Sequence, residues 1–448
     1  MGLFGTSGIR DLCPSKVNPS LALGVGNIFC AGGEAVAAGF DGRRTGHMLK
    51  SSFSAGAAAA GAKVYDIGLC STPTLALYSQ KKDCKGAMIT ASHNPAEYNG
   101  IKLFDKGHEL SKINEMEFES EIEKYLKGKR KLNFVEWENA GEIDRNAGED
   151  AKKTHLKMLF SKLNLNLINL KKPKIVLDCA NLSACALMPQ ALETAGCKVH
   201  VINGQVGEPY GRELEPTKKS LEKLGNEVRK RNADLGIAHD GDADRAIILD
   251  EKGKMLGLDV QLALAVKNML ENSSNKKIVS TVESSLSLRE IVSSSGGELL
   301  ITPVGSLNVA KVMRERDALF GGEPCGEYLF KEGVGVPDGL MAGLYFAELF
   351  CKKGKLSSLA KEVKTYPMCR SKIPCTNKKN AMKKIKESWP FGEYSEIDGM
   401  RSDFGDWWVM VRPSGTEPYI RITIEAKNSK LLKEKLRKIE KTVKKACK

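Results

Sequence analysis

The chain has 448 residues, of which 42% are hydrophobic and 28% are charged, and its formal net charge is +14. This length predicts two to four domains, and the composition is typical of a water-soluble globular protein. No apolar run approaches the ~20 residues of a membrane span, and no secretory signal is visible. We therefore expect a cytoplasmic protein that does not bind membranes.

The basic residues are spread along the chain and mixed with acidic ones, so the net charge does not predict nucleic-acid binding. The densest basic segment is the tail, in which Leu431, Leu436, Ile439 and Val443 recur at helical spacing. This segment predicts an amphipathic helix with a solvated basic face. The 12 cysteines are scattered without a CxxC pair, which favours reduced thiols over a disulfide framework or a zinc site.

Three segments share one pattern, in which a helical stretch is followed by a glycine stop and a β-rich run. They are residues 52–68, 188–203 and 288–305. Gly61, Gly196 and Gly296 suit a helix C-terminus, where a left-handed backbone costs glycine little. Each segment is followed by an apolar run that ends in a polar loop. Because open α/β sheets bind ligands at the carboxyl ends of their strands, we expect these loops to face one cleft.

The final part of the chain differs, because two β-rich runs flank a Pro-Ser-Gly turn before the helical tail. This order predicts a smaller α+β domain. The predicted fold is therefore α/β, with three related α/β domains plus a smaller C-terminal α+β domain around a central cleft. The predicted domains are residues 1–147, 148–250, 251–365 and 366–448.

The loop "DGDADR" places Asp240, Asp242 and Asp244 directly after an apolar strand. Three carboxylates so close repel one another unless a cation lies between them, and Mg²⁺ prefers oxygen ligands of this kind. A charged turn is the plain alternative. A calcium EF-hand loop is rejected, because its sixth position needs glycine and here is Arg245. A guanidinium beside a metal instead suits phosphoryl oxygens.

The stretch "RPSGTEP" combines hydroxyl groups with a run of backbone N–H groups in a tight turn. Ser414 and Thr416 supply the hydroxyls, and Arg412 and Arg421 supply positive charge. This combination is typical of a phosphate-binding nest, although a similar turn alone is more often a plain hairpin loop.

Two further stretches are less specific. "GGEPCGEY" sets Glu323 and Glu327 among glycines, where carboxylates accept hydrogen bonds from sugar hydroxyls, or where a surface turn simply occurs. "FGTSGIR" and "DGRRTG" place arginines, among them Arg10, beside small residues, either on a solvated loop or pointing into the cleft.

The stretch "TASHNP" contains Ser92 and His93 after an apolar run. No G-x-S-x-G elbow surrounds Ser92, and no acid pairs with His93 in a recognisable order, so a hydrolase triad is not predicted. A serine nucleophile needs a base or a metal to activate it. The three-aspartate loop offers a metal, and a metal beside a serine oxygen suits phosphoryl transfer.

These motifs occur in a fixed order: "FGTSGIR", "TASHNP", "DGDADR", "GGEPCGE" and "RPSGTEP". With this order the chain resembles the α-D-phosphohexomutase family, which includes phosphoglucomutases, phosphomannomutases and phosphoglucosamine mutases. The resemblance implies that Ser92 carries a phosphoryl group and donates it to the sugar. The resulting sugar bisphosphate turns around and returns its other phosphate, so that phosphate moves between positions 1 and 6.

The resemblance also implies the roles of individual residues. Lys102 is the general acid/base, with a lowered pKa, and lies with His93 beside the nucleophile. The residues implied to hold one Mg²⁺ are Ser92, Asp240, Asp242 and Asp244. The residues implied to contact the transferring phosphoryl group are Arg10 and Arg245. The residues implied to bind the distal phosphate are Arg412, Ser414, Gly415, Thr416 and Arg421.

The sugar-binding loop, with Glu323, departs from the family pattern, because Cys325 stands where the family has serine and Glu327 where it has histidine. A carboxylate at residue 327 would pair with the ammonium group of an amino sugar, which favours glucosamine phosphate. Glucose or mannose phosphate is the alternative, and a pentose phosphate or a sugar phosphate phosphatase is less favoured. A non-catalytic phosphosugar-binding protein is the third class considered.

The expected ligands and assembly follow from the same resemblance. We expect a small-molecule sugar phosphate as substrate, a sugar bisphosphate as activator, and no nucleic acid. We expect a monomer or a homodimer.

Overall fold

The computed structural model describes residues 3–4, 7–271, 273–414 and 418–447. The strands are β1 (Ile9–Leu12), β2 (Val36–Phe40), β3 (Val64–Leu69), β4 (Lys85–Ile89), β5 (Tyr98–Asp105), β6 (His108–Glu109), β7 (Ile143–Asp144), β8 (Lys174–Asp178), β9 (Lys198–Ile202), β10 (Leu235–Ala238), β11 (Ile247–Leu249), β12 (Lys277–Thr281), β13 (Glu298–Thr302), β14 (Phe320–Glu323), β15 (Glu327–Phe330), β16 (Met368–Pro374), β17 (Met400–Asp403), β18 (Trp407–Pro413) and β19 (Tyr419–Ala426).

The α-helices come from the same described ranges. They are α1 (Pro19–Phe29), α2 (Gly46–Ala59), α3 (Thr72–Lys81), α4 (Lys112–Leu126), α5 (Ala147–Ser161), α6 (Leu165–Lys171), α7 (Met188–Thr194), α8 (Glu222–Lys230), α9 (Leu258–Glu271), α10 (Leu286–Ser294), α11 (Ser306–Arg316), α12 (Gly339–Lys353), α13 (Leu356–Glu362), α14 (Lys378–Glu387) and α15 (Ser429–Ala446). Within the part of the chain that the structure describes, none of these helices has both the length and the apolar character to span a bilayer.

One strand arrangement occurs three times. In each case a central strand pairs in parallel with one strand on one side and with a loop-bearing strand on the other. The three sets are β3-β2-β4, β9-β8-β10 and β13-β12-β14. The prediction of three related α/β folds is therefore confirmed, and "TASHNP" and "DGDADR" follow β4 and β10 as expected. In "GGEPCGEY" the first residues belong to β14 itself, because the glycines pair within the sheet.

The three predicted glycine stops lie just past the C-caps of α2, α7 and α10. Gly61 has a φ of +90°, Gly196 of +103° and Gly296 of +66°. A left-handed backbone lets the chain leave the helix and enter the next strand without the steric penalty that a Cβ would bring. The repeated sequence pattern therefore marks the same helix-to-strand connection in all three folds.

The C-terminal part forms an antiparallel sheet in the order β16-β19-β18-β17, with α14 and α15 packed on it. In α15, Ile439 and Val443 are buried and the basic residues face outward, which confirms the predicted amphipathic helix. Sheet and helix share one apolar core, as expected of an α+β domain.

Contacts along the chain separate two compact units. Unit 1 comprises Met1–Leu256 and Gly326–Leu359, and unit 2 comprises Gly257–Cys325 and Ala360–Lys448. The loops "TASHNP" and "DGDADR" thus belong to unit 1, and "RPSGTEP" belongs to unit 2. The domain boundaries expected from the sequence stay predictions.

A buried carboxylate in unit 2 makes the stability of this unit sensitive to pH. Glu425 Oε2 accepts hydrogen bonds of 2.7 Å from the backbone N–H of Leu286 and from Nε1 of the buried Trp408. Burial raises the pKa of Glu425 from its ordinary value of 4.5 to about 7, although both donors oppose this shift. The folded protein therefore keeps a proton that the unfolded chain releases between these two values.

We expect the unfolding free energy of unit 2 to fall as the pH rises from 4.5 to about 7, by at most about 1.4 kcal/mol per pH unit for one group. The Glu425→Gln variant should lack this contribution, because its amide does not titrate. Urea unfolding at a series of pH values, followed by tryptophan fluorescence, measures the difference. Glu387→Gln on the exposed face of α14 is the matched control, and equal pH profiles for the two variants would contradict the prediction.

Candidate active site

Ser92 lies in the loop after β4 in a left-handed backbone conformation, with a φ of +51°. A non-glycine residue adopts this conformation only where its surroundings compensate the strain. Its backbone N–H donates to Thr90 Oγ1 at 2.8 Å, and only 2% of the surface of Ser92 is exposed to solvent. The loop therefore holds the serine in one orientation.

The fully buried guanidinium of Arg43 holds the backbone of this loop in place. Arg43 Nη1 and Nη2 donate to four loop carbonyl oxygens, those of Ser92 (2.7 Å), Asn94 (2.8 Å), Pro95 (2.7 Å) and Tyr98 (3.0 Å). The remaining donor, Nε, binds Asp41 Oδ2 at 3.0 Å. Because the guanidinium is planar and its five N–H donors are fixed relative to one another, it determines the relative positions of these carbonyls.

Asp41 compensates the buried charge of Arg43 and joins it to the strand end. Its Oδ2 also accepts from Thr90 Oγ1 at 2.7 Å, and its Oδ1 accepts from the backbone N–H of Arg43 at 3.1 Å. Thr90 thus links the buried ion pair to the backbone of Ser92. A buried ion pair is tolerated only when its donors and acceptors are satisfied in this way.

The aspartate loop after β10 packs directly against Ser92. Ser92 Oγ donates to Asp240 Oδ2 at 2.8 Å. The backbones also touch, because a Cβ at Gly241 would lie only 2.4 Å from the carbonyl oxygen of Ser92. Only glycine permits this approach, so "DGDADR" needs its glycine as well as its acids.

Asp240, Asp242 and Asp244 are buried, and one carboxylate oxygen of each lies within 4.8 Å of the others. Asp242 Oδ1 and Asp244 Oδ1 are buried and have no hydrogen-bond partner among the described residues. Unpaired buried carboxylate oxygens beside a serine hydroxyl form the all-oxygen donor set that Mg²⁺ prefers. The residues present therefore fit this cation.

Lys102 lies against the same carboxylates. Its Nζ donates to Asp242 Oδ2 at 2.7 Å and to Asp244 Oδ2 at 2.9 Å. Burial alone would lower the pKa of Lys102, but the two carboxylates outweigh burial and hold it above its usual range. The expectation of a lowered pKa was therefore wrong, because it did not include the acids that fold against the lysine.

The pKa values of Asp240 and Asp242 shift in opposite directions. Burial, reinforced by Asp244 and Asp242, raises the pKa of Asp240 well above its usual value. Burial acts on Asp242 too, but the ammonium of Lys102 outweighs it and lowers the pKa of Asp242. The cluster thus contains carboxylates of unequal basicity, as expected where like charges share one buried site.

His93 has an acid partner that the sequence did not indicate. Its Nδ1 lies 3.3 Å from Ser92 Oγ, and its Nε2 lies 3.6 Å from Glu215 Oε2. Burial, with further contributions from Arg245 and Arg10, lowers the pKa of His93 to about 3, so the imidazole is neutral at neutral pH. The sequence did not indicate Glu215, because this residue approaches His93 only through the tertiary fold.

The two candidate phosphoryl-binding arginines differ in their partners. Arg245 Nε lies 3.2 Å from Glu327 Oε1, and its Nη1 lies 3.4 Å from Glu215 Oε1. Arg10 on β1 has a buried Nε without a hydrogen-bond partner among the described residues. Burial raises the pKa of Glu327, although Arg245 opposes this. The structure therefore pairs Glu327 with an arginine, a contact that the sequence did not predict.

A cavity of about 900 Å³ lies beside the Ser92 loop in unit 1. His93, Arg44, Tyr210, Arg212 and Glu215 contribute to its lining. Its volume lies within the range of small-molecule sites, and its charged lining suits a polar ligand.

Unit 2 contains the other candidate residues. Glu323, at the end of β14, is buried and its Oε2 accepts from the backbone N–H of Gly305 at 3.1 Å. Cys325 is a half-buried free thiol in the loop that follows. Gly415 and Thr416 lie outside the described residues, and the buried Ser414 donates its backbone N–H to the carbonyl of Tyr419 at 2.9 Å.

Three cations form a row across the sheet of unit 2. Arg412 is directly opposite Arg421 on the neighbouring strand, and Arg421 is directly opposite Lys372 on the next one. Glu283 pairs with one end of the row, with its Oε1 3.1 Å from Arg412 Nε. Like charges directly opposite one another are destabilising, so an anion bound beside the row would be favourable. Lys372 was not predicted, because only strand pairing brings it to this position.

The chain matches the sequence patterns of four domain families. They are described as phosphoglucomutase/phosphomannomutase alpha/beta/alpha domain I (residues 1–129), domain II (residues 153–253), domain III (residues 258–366) and C-terminal domain (residues 371–441).

Curated relatives match over nearly the whole chain. The probable phosphoglucosamine mutase of Thermococcus gammatolerans is 38% identical over 453 residues, covering 99% of this chain and 98% of that protein. The phosphoglucosamine mutase of Methanocaldococcus jannaschii is 38% identical over 459 residues, with the same coverage of 99% and 98%.

Solved structures show the same fold at lower identity. A phosphoglucomutase/phosphomannomutase family protein of Burkholderia thailandensis has a TM-score of 0.88 at 22% identity, covering 99% of this chain and 97% of that chain. The N-acetylphosphoglucosamine mutase of Aspergillus fumigatus, in complex with GlcNAc-6P and magnesium, has a TM-score of 0.65 at 15% identity, covering 100% and 96%.

Replacing Arg43 with lysine should destabilise unit 1, because one ammonium cannot reach the five acceptors that the guanidinium serves. Each buried carbonyl left unpaired costs about 1–3 kcal/mol, so we expect the Arg43→Lys variant to lose at least about 2 kcal/mol of unfolding free energy. Urea unfolding measures this loss. Arg231→Lys on the exposed end of α8 is the control, and a loss no larger than that of the control would show that Arg43 does not organise the loop.

Proposed function

Because the chain belongs to the phosphoglucomutase/phosphomannomutase family and is an intramolecular phosphotransferase, we propose that it interconverts glucosamine 1-phosphate and glucosamine 6-phosphate. The observation that carries the substrate assignment is full-length identity of 37–38% to proteins named phosphoglucosamine mutase. Glucose or mannose phosphate is the alternative, since the family includes enzymes named for those sugars.

We propose Ser92 as the phosphoryl carrier. The hydroxyl oxygen of the sugar forms a new bond to phosphorus while the bond from phosphorus to Ser92 Oγ breaks, which yields the sugar bisphosphate. Because the serine ends the step as a hydroxyl, the proton of the sugar hydroxyl is transferred in net to Ser92 Oγ. After the bisphosphate has turned around, the reverse step returns the other phosphate to Ser92.

Lys102 and His93 are the chain's proton-handling groups around this step. Lys102 is our candidate general acid/base, supported by its buried position against the same aspartates that approach Ser92. The neutral imidazole of His93 has its Nδ1 3.3 Å from Ser92 Oγ, within hydrogen-bond distance of the oxygen that would carry the phosphoryl group.

The family generally uses Mg²⁺, and we propose that one ion binds to Ser92, Asp240, Asp242 and Asp244. When bound, Mg²⁺ supplies charge neutralisation for the transferring phosphoryl group. The two unpaired aspartate oxygens support this assignment. A sugar bisphosphate would act as activator by phosphorylating Ser92.

The remaining residues would bind the ligand. We assign Arg10 and Arg245 to the transferring phosphoryl group, since guanidinium groups bind phosphoryl oxygens through paired hydrogen bonds. Glu323, Cys325 and Glu327 are assigned to the sugar. For the distal phosphate we keep Arg412, Ser414, Gly415, Thr416 and Arg421, and the cationic row adds Lys372 to this group.

A cytoplasmic location and a monomeric or homodimeric state stay predictions.

With Mg²⁺ and a priming sugar bisphosphate, the purified protein should convert glucosamine 1-phosphate to the 6-phosphate without releasing free phosphate. The Ser92→Ala variant should lose about three orders of magnitude or more in kcat, because it has no phosphoryl acceptor. A coupled assay over glucosamine, glucose, mannose and ribose 1-phosphates ranks the substrates. Release of inorganic phosphate at the rate of substrate loss would identify a phosphatase instead.

The Glu327→Gln variant tests whether this carboxylate binds an ammonium group of the sugar or positions Arg245. If it binds an ammonium group, the variant should lose about tenfold in kcat/KM for glucosamine phosphate relative to glucose phosphate, since a charged hydrogen bond is worth about 1.5–3 kcal/mol. Equal losses for both sugars would instead show that Glu327 acts by positioning Arg245. Glu332→Gln, which changes an exposed acid on the loop after β15, is the control.

A further inference from the structure

The two carboxylate oxygens of Asp242 differ in their hydrogen bonds. Oδ2 accepts from Thr72 Oγ1 at 2.6 Å and from Lys102 Nζ at 2.7 Å. Oδ1 is buried and has no hydrogen-bond partner among the described residues. Thr72 also donates its backbone N–H to the carbonyl oxygen of Asp242 at 2.9 Å. The Thr72 hydroxyl and Lys102 therefore both bind Oδ2, which leaves Oδ1 unpaired, while the backbone bond from Thr72 holds the two segments together.

Thr72 is the first residue of α3, and a chain of buried hydrogen bonds anchors this helix end. Ser71 is the N-cap of this helix, and its Oγ lies 2.7 Å from Thr74 Oγ1. Thr74 Oγ1 in turn lies 2.8 Å from His155 Nδ1 on α5. His155 Nε2 lies 3.0 Å from Asp338 Oδ2. Asp338 caps α12, with its Oδ1 accepting from the backbone N–H of Met341 at 3.0 Å.

Two bonds of this chain have a fixed direction. The carboxylate of Asp338 only accepts, so His155 Nε2 donates to it. The atoms that join Ser71 to Thr74 and Thr74 to His155 Nδ1 lie within hydrogen-bond distance of each other, and a hydroxyl group is able to donate or to accept in both contacts. Ser71 Oγ accepts in turn from the backbone N–H of Thr74 at 3.3 Å. The members are nearly or fully inaccessible to solvent, so a broken bond would leave an unsatisfied buried group.

The capping of α3 and α12 does not by itself require the contacts of Thr74 and His155. Ser71 by itself caps α3, and Asp338 by itself caps α12. The additional links through Thr74 and His155 join the two helix ends, and both ends contact the aspartate loop. α3 does so through Thr72, and α12 does so at its first residue, where a Cβ on Gly339 would lie 2.7 Å from the carbonyl oxygen of Ala243.

We propose that Thr72 is a positioning residue for Asp242. Its hydroxyl engages Oδ2 so that Oδ1 is presented to a divalent cation, and the buried chain from Thr74 through His155 to Asp338 holds the end of α3 in place for this task. This inference rests on the proposed function, because that proposal makes Asp242 a metal ligand. Residues that orient metal ligands in this way typically contribute about 10–100-fold in metal affinity.

The test measures Mn²⁺ binding to the full-length protein by isothermal calorimetry and by the Mn²⁺ electron paramagnetic resonance signal. Thr72→Val keeps the shape of the side chain but removes the hydroxyl, so we expect its Mn²⁺ affinity to fall about 10–100-fold. Thr72→Ser restores the hydroxyl and should stay within about threefold of the native protein. Thr442→Val, at a half-buried position of α15 in unit 2, should not change affinity.

Thermal unfolding without metal provides the structural reference. If Thr72→Val does not fold, Thr72→Ala with the same binding measurement replaces it. In steady-state assays, we expect kcat to fall in parallel with metal affinity while KM for the sugar phosphate stays the same. Unchanged Mn²⁺ affinity in a folded variant without the hydroxyl, or a loss in Thr72→Ser as large as in Thr72→Val, would overturn the proposal.

Asp338→Asn tests the remote part of the chain. Asparagine keeps an acceptor for the N–H of Met341 but places an N–H group against His155 Nε2. We expect a smaller loss of Mn²⁺ affinity, about three- to tenfold, and no loss would restrict the proposal to Thr72 and overturn its extension to Asp338.

The Asp242→Asn variant tests the proposed metal site separately from the proposed positioning role of Thr72. If the native protein binds Mn²⁺ and Asp242→Asn does not, the metal assignment stands, and the Thr72 variants decide the positioning role alone. If the native protein does not bind Mn²⁺, or if Asp242→Asn binds it equally well, the metal site in the proposed function fails.

Discussion

The buried guanidinium of Arg43 is the interaction on which the candidate site depends. Its donors bind four carbonyl oxygens of the Ser92 loop and one carboxylate, and the side chains of Arg43 and Asp41 are fully buried. This support allows Ser92 to keep a left-handed backbone, which an unsupported loop would relax. The strained geometry in turn aims Oγ at Asp240 rather than at solvent.

Electrostatics explains why the aspartate loop needs so many partners. Three buried carboxylates would repel one another and would each be poorly solvated, so the fold surrounds them with an ammonium group, a serine hydroxyl and a threonine hydroxyl. These donors leave two carboxylate oxygens unpaired. These two oxygens are the ones that the proposed cation would bind.

Short motifs were sufficient to predict the three related folds and the main candidate residues. The glycine stops and the alternation of helix and strand are local, because φ preferences and hydrophobic periodicity act over a few residues. "TASHNP" and "DGDADR" also concentrate their chemistry within six residues each. Thr72, Glu215 and Lys372 were missed, because each acts on partners that are distant in the sequence and none belongs to a distinctive local pattern. Arg43 lies in "DGRRTG", but its support of the Ser92 loop was not predicted, because the four carbonyl groups that it binds are distant in the sequence.

The sequence by itself determined the class of chemistry, since "TASHNP", "DGDADR" and "RPSGTEP" occur in the order that is typical of the family and are recognisable without coordinates. Only the tertiary structure decided the state of these groups. The pKa of Lys102 is raised rather than lowered, and Glu327 faces Arg245, because charges brought together by folding act through space in a buried, weakly screened environment. Local patterns specify which groups are available, whereas burial and the approach of distant charges determine their protonation and orientation.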